Sequence, residues 1–361
     1  MNAGKSLRRV LMVWFLVGFV AGIRPGSARS DSLRDRMIAQ AKNEKQFIVG
    51  GPSGDNFRDE LVGFKKLYPF ITIKVFTGNS ADVTNRVFAE AQAGKLSIDM
   101  VASSSESLEL IAKGDLLTKM EYPHLKDFQA GTQPRSGAYV QGFLNPRVQG
   151  IYNTDLVPPG EVPKSWEDML DPKWNGKTML SRTAEDIPAH LAYLWREGDK
   201  LNWDRAFDFF RKLEKQKPII ARGARGGTQR VAAGEAAILW FISVGPAGRL
   251  AAMGAPMGLV AFPKFTGTFR SYGILKGARN PASSWLFIDY LTSPEGQFEY
   301  TEVISAKVPV NKKAKVGKLG RWMVAQGATV ENTVAMDAEV AFDEKIIKKS
   351  EDFFLKLIGI K

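Results

Sequence analysis

The spacing of apolar residues changes repeatedly along the chain. Short continuous apolar runs alternate with stretches where apolar residues recur every three to four positions. Residues 47–50 (FIVG) read as a buried strand. Residues 56–68 read as a helix, with Asp55 as its cap, Phe57, Leu61, Phe64 and Leu67 on one face, and Pro69 as its stop. Residues 71–76 (ITIKVF) alternate as a second strand. A helix opening near Ser80 follows, with Val83, Val87 and Ala91 as its apolar face and Gly94 at its end. Residues 98–103 (IDMVAS) make a third strand, and SSESLELIAKG its helix, closed by Gly114. Three strand–loop–helix units in about 70 residues predict a parallel sheet with crossover helices.

The middle of the chain is richer in Pro, Gly, Asn and Trp, yet repeats the logic. QGIYN (149–153) reads as a connecting strand, SWEDML as a short helix with Ser165 and Asp168 in capping-box positions, and KTMLS as a strand ending at Ser181. Helices are expected at about 187–196 and 203–216, then strands at KPIIA, AILWFISVG and MGLVAFP. TFRSYGILKG reads as a return strand, and NPASSWLFIDYLTSPEGQFEYTE as two helices split at Ser293 and Pro294. The fold class expected is α/β, in two lobes. A length of 361 residues also suits two cores better than one.

The first residues stand apart. Lys5, Arg8 and Arg9 precede an apolar run over 10–23, and small residues follow at Gly26 and Ala28. That is the three-part pattern of an export signal occupying 1–28, and 14 apolar residues are short for a membrane span. The mature protein is expected in a bacterial periplasm. The chain has no cysteine, hence no disulfide and no lipid-bearing cysteine. Four cations (Lys5, Arg8, Arg9, Arg24) lie in the leader, so +8 of the formal +12 stays with the mature chain. An exported protein rarely meets nucleic acid, so the plain reading of this balance is a solvated basic surface, and the sharper one an anionic ligand or an acidic membrane face. The absence of long heptads predicts a monomer.

Each loop of the first third lies at the carboxyl end of a strand and the amino end of a helix. Ligands bind at that edge of such sheets, and unpaired helix N–H groups there favour anions. Ser53, Asn79, Ser80, Ser103 and Ser104 are the polar groups at these ends; each is also a good helix cap, so their value is collective. The stretch RGARGGTQRVAAGEAAILWF (222–241) brings arginines and glycines to the start of a helix. It lacks both Gly-Lys-Ser/Thr and G-x-G-x-x-G, which argues against a nucleotide loop. Gly226, Gly227 and Thr228 let backbone approach a ligand, and Arg225 can grip a carboxylate or phosphate with two parallel bonds. The plain alternative is a turn with a solvated arginine. G-x-S-x-G, H-E-x-x-H and a cysteine nucleophile are all missing, and two histidines offer little acid–base chemistry, so neither an enzyme nor a resident cofactor is called for.

GIYNTDLVPPGEVPKSWEDMLDPKWNGK, VAAGEAAI and NPASSWLFIDYLTSPEGQ resemble segments of bacterial periplasmic solute-binding proteins that feed ABC importers, in the branch of the ferric-iron-binding type and its relatives for phosphorylated and other small anionic solutes. The likeness runs from about residue 31 to 313. It implies two lobes, each a mostly parallel sheet flanked by helices, joined by crossing strands near 150–153 and 262–272. Lobe one would hold 29–148 and about 269–310, and lobe two 150–265 with part of about 311–361. It further implies a small anionic solute (phosphorylated, phosphonate or carboxylate) in the interlobe cleft, hinge closure, and a membrane permease as partner. Ser181, Arg182 and Thr183 match a loop that holds an anion in that branch, with Arg182 replacing the usual small residue. Iron-binding members place adjacent tyrosines after the strand that follows the AGE segment. Trp240 and Phe241 stand at that place here and supply no hard oxygen donor, and the eight tyrosines are never adjacent. Trp240 is then either core or a wall for a planar part of the ligand. The alternatives are ferric iron on scattered oxygen donors and an exported enzyme on the same scaffold.

Overall fold

A computed structural model describes residues 32–51, 61–78, 80–134, 136–341 and 343–360. The export-signal pattern, Asp55 and the start of the helix expected over 56–68 lie outside these residues, as do the site candidates Ser53 and Asn79.

The chain opens with α1 (Leu33–Glu44), held by a capping box between Ser32 and Asp35. Strands β1 (Gln46–Gly51), β2 (Thr72–Thr77) and β3 (Met100–Ser104) pair in parallel in the order β2-β1-β3. Helices α2 (Val62–Leu67), α3 (Ser80–Gln92) and α4 (Ser105–Lys113) connect and follow them. Gly94, at φ +66°, turns the chain out of α3 in the left-handed conformation that glycine accepts without strain.

The second parallel set is β6 (Thr178–Ser181), β7 (Ile219–Ala221) and β8 (Ile238–Ser243). Around it lie α5 (Ile187–Leu194), α6 (Trp203–Glu214), α7 (Ala224–Ala232) and α8 (Gly245–Ala252). SWEDML forms only a 3-10 turn, Asp168–Leu170, and Ser165 and Asp168 make half of the expected box: the Asp168 amide donates to the Ser165 hydroxyl at 3.0 Å, while the Asp168 carboxylate accepts from the Lys164 amide, one residue earlier, at 2.8 Å.

Between the two parallel sets run two long antiparallel strands, β5 (Val140–Asn153) and β10 (Phe265–Leu275). The main path of the sheet is β2-β1-β3-β10-β5-β8-β6-β7, and twelve strands join it among the described residues, the short β4 (Leu117–Thr118) by pairing with β10. β5 pairs with β10 over its first half, and with β8 and β9 (Met257–Val260) over its second. The reading of residues 149–153 as a connecting strand therefore caught only its last part. Gly142 and Pro146 hid the rest, because they punctuate strands in most contexts. Here a Cβ on Gly142 would meet the Tyr272 ring at 2.8 Å, so the glycine makes room for a core side chain.

Three apolar clusters fill the faces of the sheet: one built on Phe47, Phe143, Trp285 and Phe287, one on Val83, Val101 and Leu108, and one on Leu180, Phe210 and Trp240. After α9 (Pro281–Thr292) and α10 (Pro294–Glu299), a π-turn (Tyr300–Ile304) leads to the short β11 (Val308–Pro309). The tail adds α11 (Lys318–Val324), β12 (Thr333–Ala335), α12 (Ala338–Ala341) and α13 (Glu344–Leu357). β12 pairs with β10, α12 lies on α4, and α13 packs on α5 and α6 with Phe354 fully buried.

Candidate functional site

A strand side chain points to the opposite face from its neighbours, so polar residues two apart on an apolar strand share a face. Both crossing strands carry such a pair: Asn145 and Arg147 on β5, Thr268 and Arg270 on β10. These four are partly open, while almost every other position of both strands is buried. Asn145 stands directly opposite Thr268 in the register, which brings the two pairs onto one patch. The patch is the floor of a cavity of about 330 Å³.

Ser80, at the start of α3, and Ser104, the N-cap of α4, line the cavity from the first parallel set. Both bring helix N-termini, whose unpaired N–H groups and dipoles favour negative charge. The Ser103 hydroxyl is buried behind them and donates to Ser80 Oγ at 3.0 Å. Lys307, which follows the π-turn, is 5% exposed and donates to Asn145 Oδ1 at 3.3 Å, while Ser243 Oγ donates to the same oxygen at 3.2 Å. Three cationic side chains, Arg147, Arg270 and Lys307, thus converge on one cavity.

Two carboxylates and an imidazole complete the lining. Glu106 accepts a hydrogen bond from Thr268 Oγ1 at 2.6 Å. Asp186, just before α5, forms an ion pair with Arg147, and His190 Nε2 lies 3.6 Å from Asp186 Oδ2. Burial pushes the Asp186 carboxyl up, but Arg147 and His190 outweigh it and hold the group well below the ordinary carboxylate range. An adjoining cavity of about 550 Å³ shares Glu106 and is walled by Glu109, Tyr139, Tyr193 and, from the tail, Met336 and Asp337. Burial pushes the Tyr139 and Tyr193 phenols up; each is hydrogen-bonded to a carboxylate, Glu109 and Asp337 respectively.

The residues singled out in the sequence divide. Ser80 and Ser104 line the first cavity, with Ser103 behind Ser80. Ser181 and Thr183 bond each other at 2.9 Å, and the Thr183 amide donates back to Ser181 Oγ, so the loop satisfies its own hydroxyls. Arg182, Arg225 and Gly226 are exposed and line neither cavity. Two residues of the glycine-rich approach have other roles within the fold itself. Gly227 is a packing residue, since a Cβ there would meet Leu239 at 2.9 Å and Ala221 at 3.1 Å. Thr228 is fully buried and donates to the Ala224 carbonyl of its own helix at 2.8 Å. Trp240 takes the core alternative. It lies inside β8, fully buried, with its ring in the place a Cβ on Gly150 would need. Because β8 runs to Ser243, the residues just past the strand are Val244 and Gly245, not Trp240 and Phe241.

Arg147, Arg270, Asn145, Thr268, Lys307, Asp186 and His190 were missed. For the strand residues the signal was present: N-x-R and T-x-R within otherwise apolar runs. Lys307, Asp186 and His190 carry no such pattern and are brought in by the fold alone.

The model of the family described as bacterial extracellular solute-binding protein matches residues 62–328. An uncharacterized protein of Haemophilus influenzae is 34% identical over 146 residues, which span 38% of this chain and 39% of that relative. Among solved structures, the periplasmic binding protein AfuA of Actinobacillus pleuropneumoniae, with fructose-6-phosphate bound, superposes with a TM-score of 0.65 at 16% identity, covering 88% of this chain and 99% of that one. Iron-bound HitA of Pseudomonas aeruginosa gives 0.67 at 16% identity, with 87% and 99% covered. An ABC transporter substrate-binding protein of Bradyrhizobium japonicum gives 0.68 at 18%, again with 87% and 99% covered. At such identities the structures speak for the fold, and they share the mixed α/β architecture of periplasmic binding proteins. The family match, which covers most of the chain, places this protein in the bacterial extracellular solute-binding protein family.

Proposed function

We propose that the protein is the solute-capturing component of an ABC importer, that it works in the periplasm, and that it takes a small anionic solute between two lobes hinged on β5 and β10. One observation carries this reading: Arg147, Arg270 and Lys307 meet in one cavity with two helix N-termini. Arginine gives two parallel bonds to a carboxylate or phosphoryl group, and the helix ends add N–H donors. Closure of the lobes would remove water from these pairs and present the closed form to the membrane permease. Arg182 and Arg225, exposed after the parallel strands β6 and β7, would act from outside the cavity by drawing anions toward it.

The neighbours include an iron-bound and a sugar-phosphate-bound protein. Iron would call for several hard donors gathered on one centre. Among the described residues no group of three or more His, Asp or Glu side chains is placed to hold a metal ion, and Tyr193, in the adjoining cavity, donates instead to Asp337. The test is calorimetric titration with phosphorylated, phosphonate and carboxylate metabolites, beside mass spectrometry of whatever co-purifies under gentle conditions. Saturable binding of an anion, lost in Arg270→Ala, is expected. A visible charge-transfer band on adding ferric citrate, with no anion bound in its absence, would replace this reading with an iron site.

A further inference from the structure

Resting on the anion reading, the same cavity says more about the solute. Its lining is two-signed, because Glu106 and Asp186 stand among the three cations. Glu106 is 8% exposed, and its described hydrogen bond comes from a neutral hydroxyl, that of Thr268. Asp186 commits one oxygen to Arg147, while its other oxygen, Oδ1, is buried and accepts nothing. The Nδ1 of His190, on the ring beside Asp186, is likewise without a partner.

Native structures rarely leave a buried carboxylate oxygen without a donor, since the desolvated charge is costly. A bare anion would answer the three cations but bring no donor to the two carboxylates. A solute that brings its own N–H donors as well would satisfy both. The acceptor side also continues past Glu106. Glu109 and Asp337 line the adjoining cavity, where they accept from Ser136 at 3.4 Å and Tyr193 at 2.9 Å, with Lys113 and Arg196 in the same wall. We infer that the solute is a zwitterion: a carboxylate or phosphoryl head against Arg147, Arg270 and Lys307, and a protonated amine that pairs with the carboxylates of Asp186 and Glu106.

Two matched pairs of probes test this by calorimetry: phosphoethanolamine against ethyl phosphate, and β-alanine against propionate. In the pair whose head group fits, the amine-bearing member should bind at least about tenfold tighter, a difference of roughly 1.4 kcal/mol. Asp186→Asn and Glu106→Gln keep size and shape, and thermal melts confirm their folding. Each should cut the preference to under about threefold, partly by improving the fit of the amine-free probe. Equal binding of both members, still lost in Arg270→Ala, would overturn the zwitterion and leave the anion site standing. A preference unchanged in both carboxylate variants would also overturn it. Failure of all four probes to bind would sink both readings together.

Discussion

The crossing strands and the start of α7 offer the same chemistry in two settings. Each combines arginine, small polar residues and glycine. On β5 and β10 the arginines sit two residues from a polar partner, and every intervening side chain is locked in the core. Their positions are set by ladder hydrogen bonds on both sides, so the charges stand at fixed places beside a cavity. At α7, Arg225 is exposed on the first turn of the helix, and the nearby Gly227 packs against Leu239. A glycine-rich, arginine-bearing turn looks like a binding loop in sequence. A two-residue alternation inside a strand looks like ordinary amphipathicity. In the folded chain the strand arginines line a cavity and Arg225 does not.

The sharpest way to break the comparison is Arg270→Ala. It removes a charge-assisted contact from a desolvated site and should weaken anion binding by about 2–5 kcal/mol, or about 30- to several-thousand-fold. Arg270→Lys should restore part of this, because lysine keeps the charge but not the fork. Calorimetry on the solute that co-purifies is the measurement, and a loss below about threefold would remove β10 from the site.

A second substitution separates packing from binding. Gly227→Val places a branched side chain against Leu239 and Ala221 and should destabilise the fold by about 1–3 kcal/mol. The affinity of the protein that remains folded should stay unchanged. A melting temperature equal to wild type, together with a large loss of affinity, would return Gly227 to the role of a ligand-approach residue.

The Arg147–Asp186 pair gives a smaller and pH-dependent effect. The folded carboxyl is held below its unfolded value, near 3.9 for a free aspartate. The stabilisation it contributes is therefore complete above about pH 4 and is lost as pH falls from there toward the folded value. Asp186 is partly open to the cleft, so the effect is modest. The melting-temperature gap between wild type and Asp186→Asn should be constant at neutral pH and close on acidification below about pH 4. A gap that widened in acid would contradict the assigned cause.

How far these regions could be read in advance follows from the range of the forces involved. The parallel units, Gly94, the Ser165–Asp168 bond and the break at Ser293 rest on local periodicity and capping, and the sequence carries those directly. Ser80 and Ser104 followed from the rule that strand ends face ligands. The full length of β5 was not legible, because Gly142 reads as a break until Tyr272, 130 positions away, is known to fill its space. Lys307 and Asp186 reach the cavity only through long-range packing. Trp240 was misplaced by four residues, since the end of β8 is fixed by pairing with β5 at Arg147 and Ser243 rather than by anything local.

The smallest expected effect is that of Arg225→Ala. Arg225 is exposed, lies in the first turn of α7 and lines neither cavity. A solvated charge outside the site acts through the long-range field, which changes the rate of encounter more than the stability of the complex. The expected loss is within about threefold in affinity, under roughly 1 kcal/mol, carried by a slower on-rate that recovers toward wild type as salt is raised. Stopped-flow binding at low and high ionic strength reads both quantities in the same samples. Arg225→Ala and Arg182→Ala should behave alike, because both residues follow adjacent parallel strands, β7 and β6, and both are exposed. A loss of tenfold or more in Arg225→Ala, appearing in the off-rate and insensitive to salt, would mean that the start of α7 closes onto the bound solute. The crossing strands would then share the anion with the turn, and the contrast between the two regions would describe only the ligand-free form.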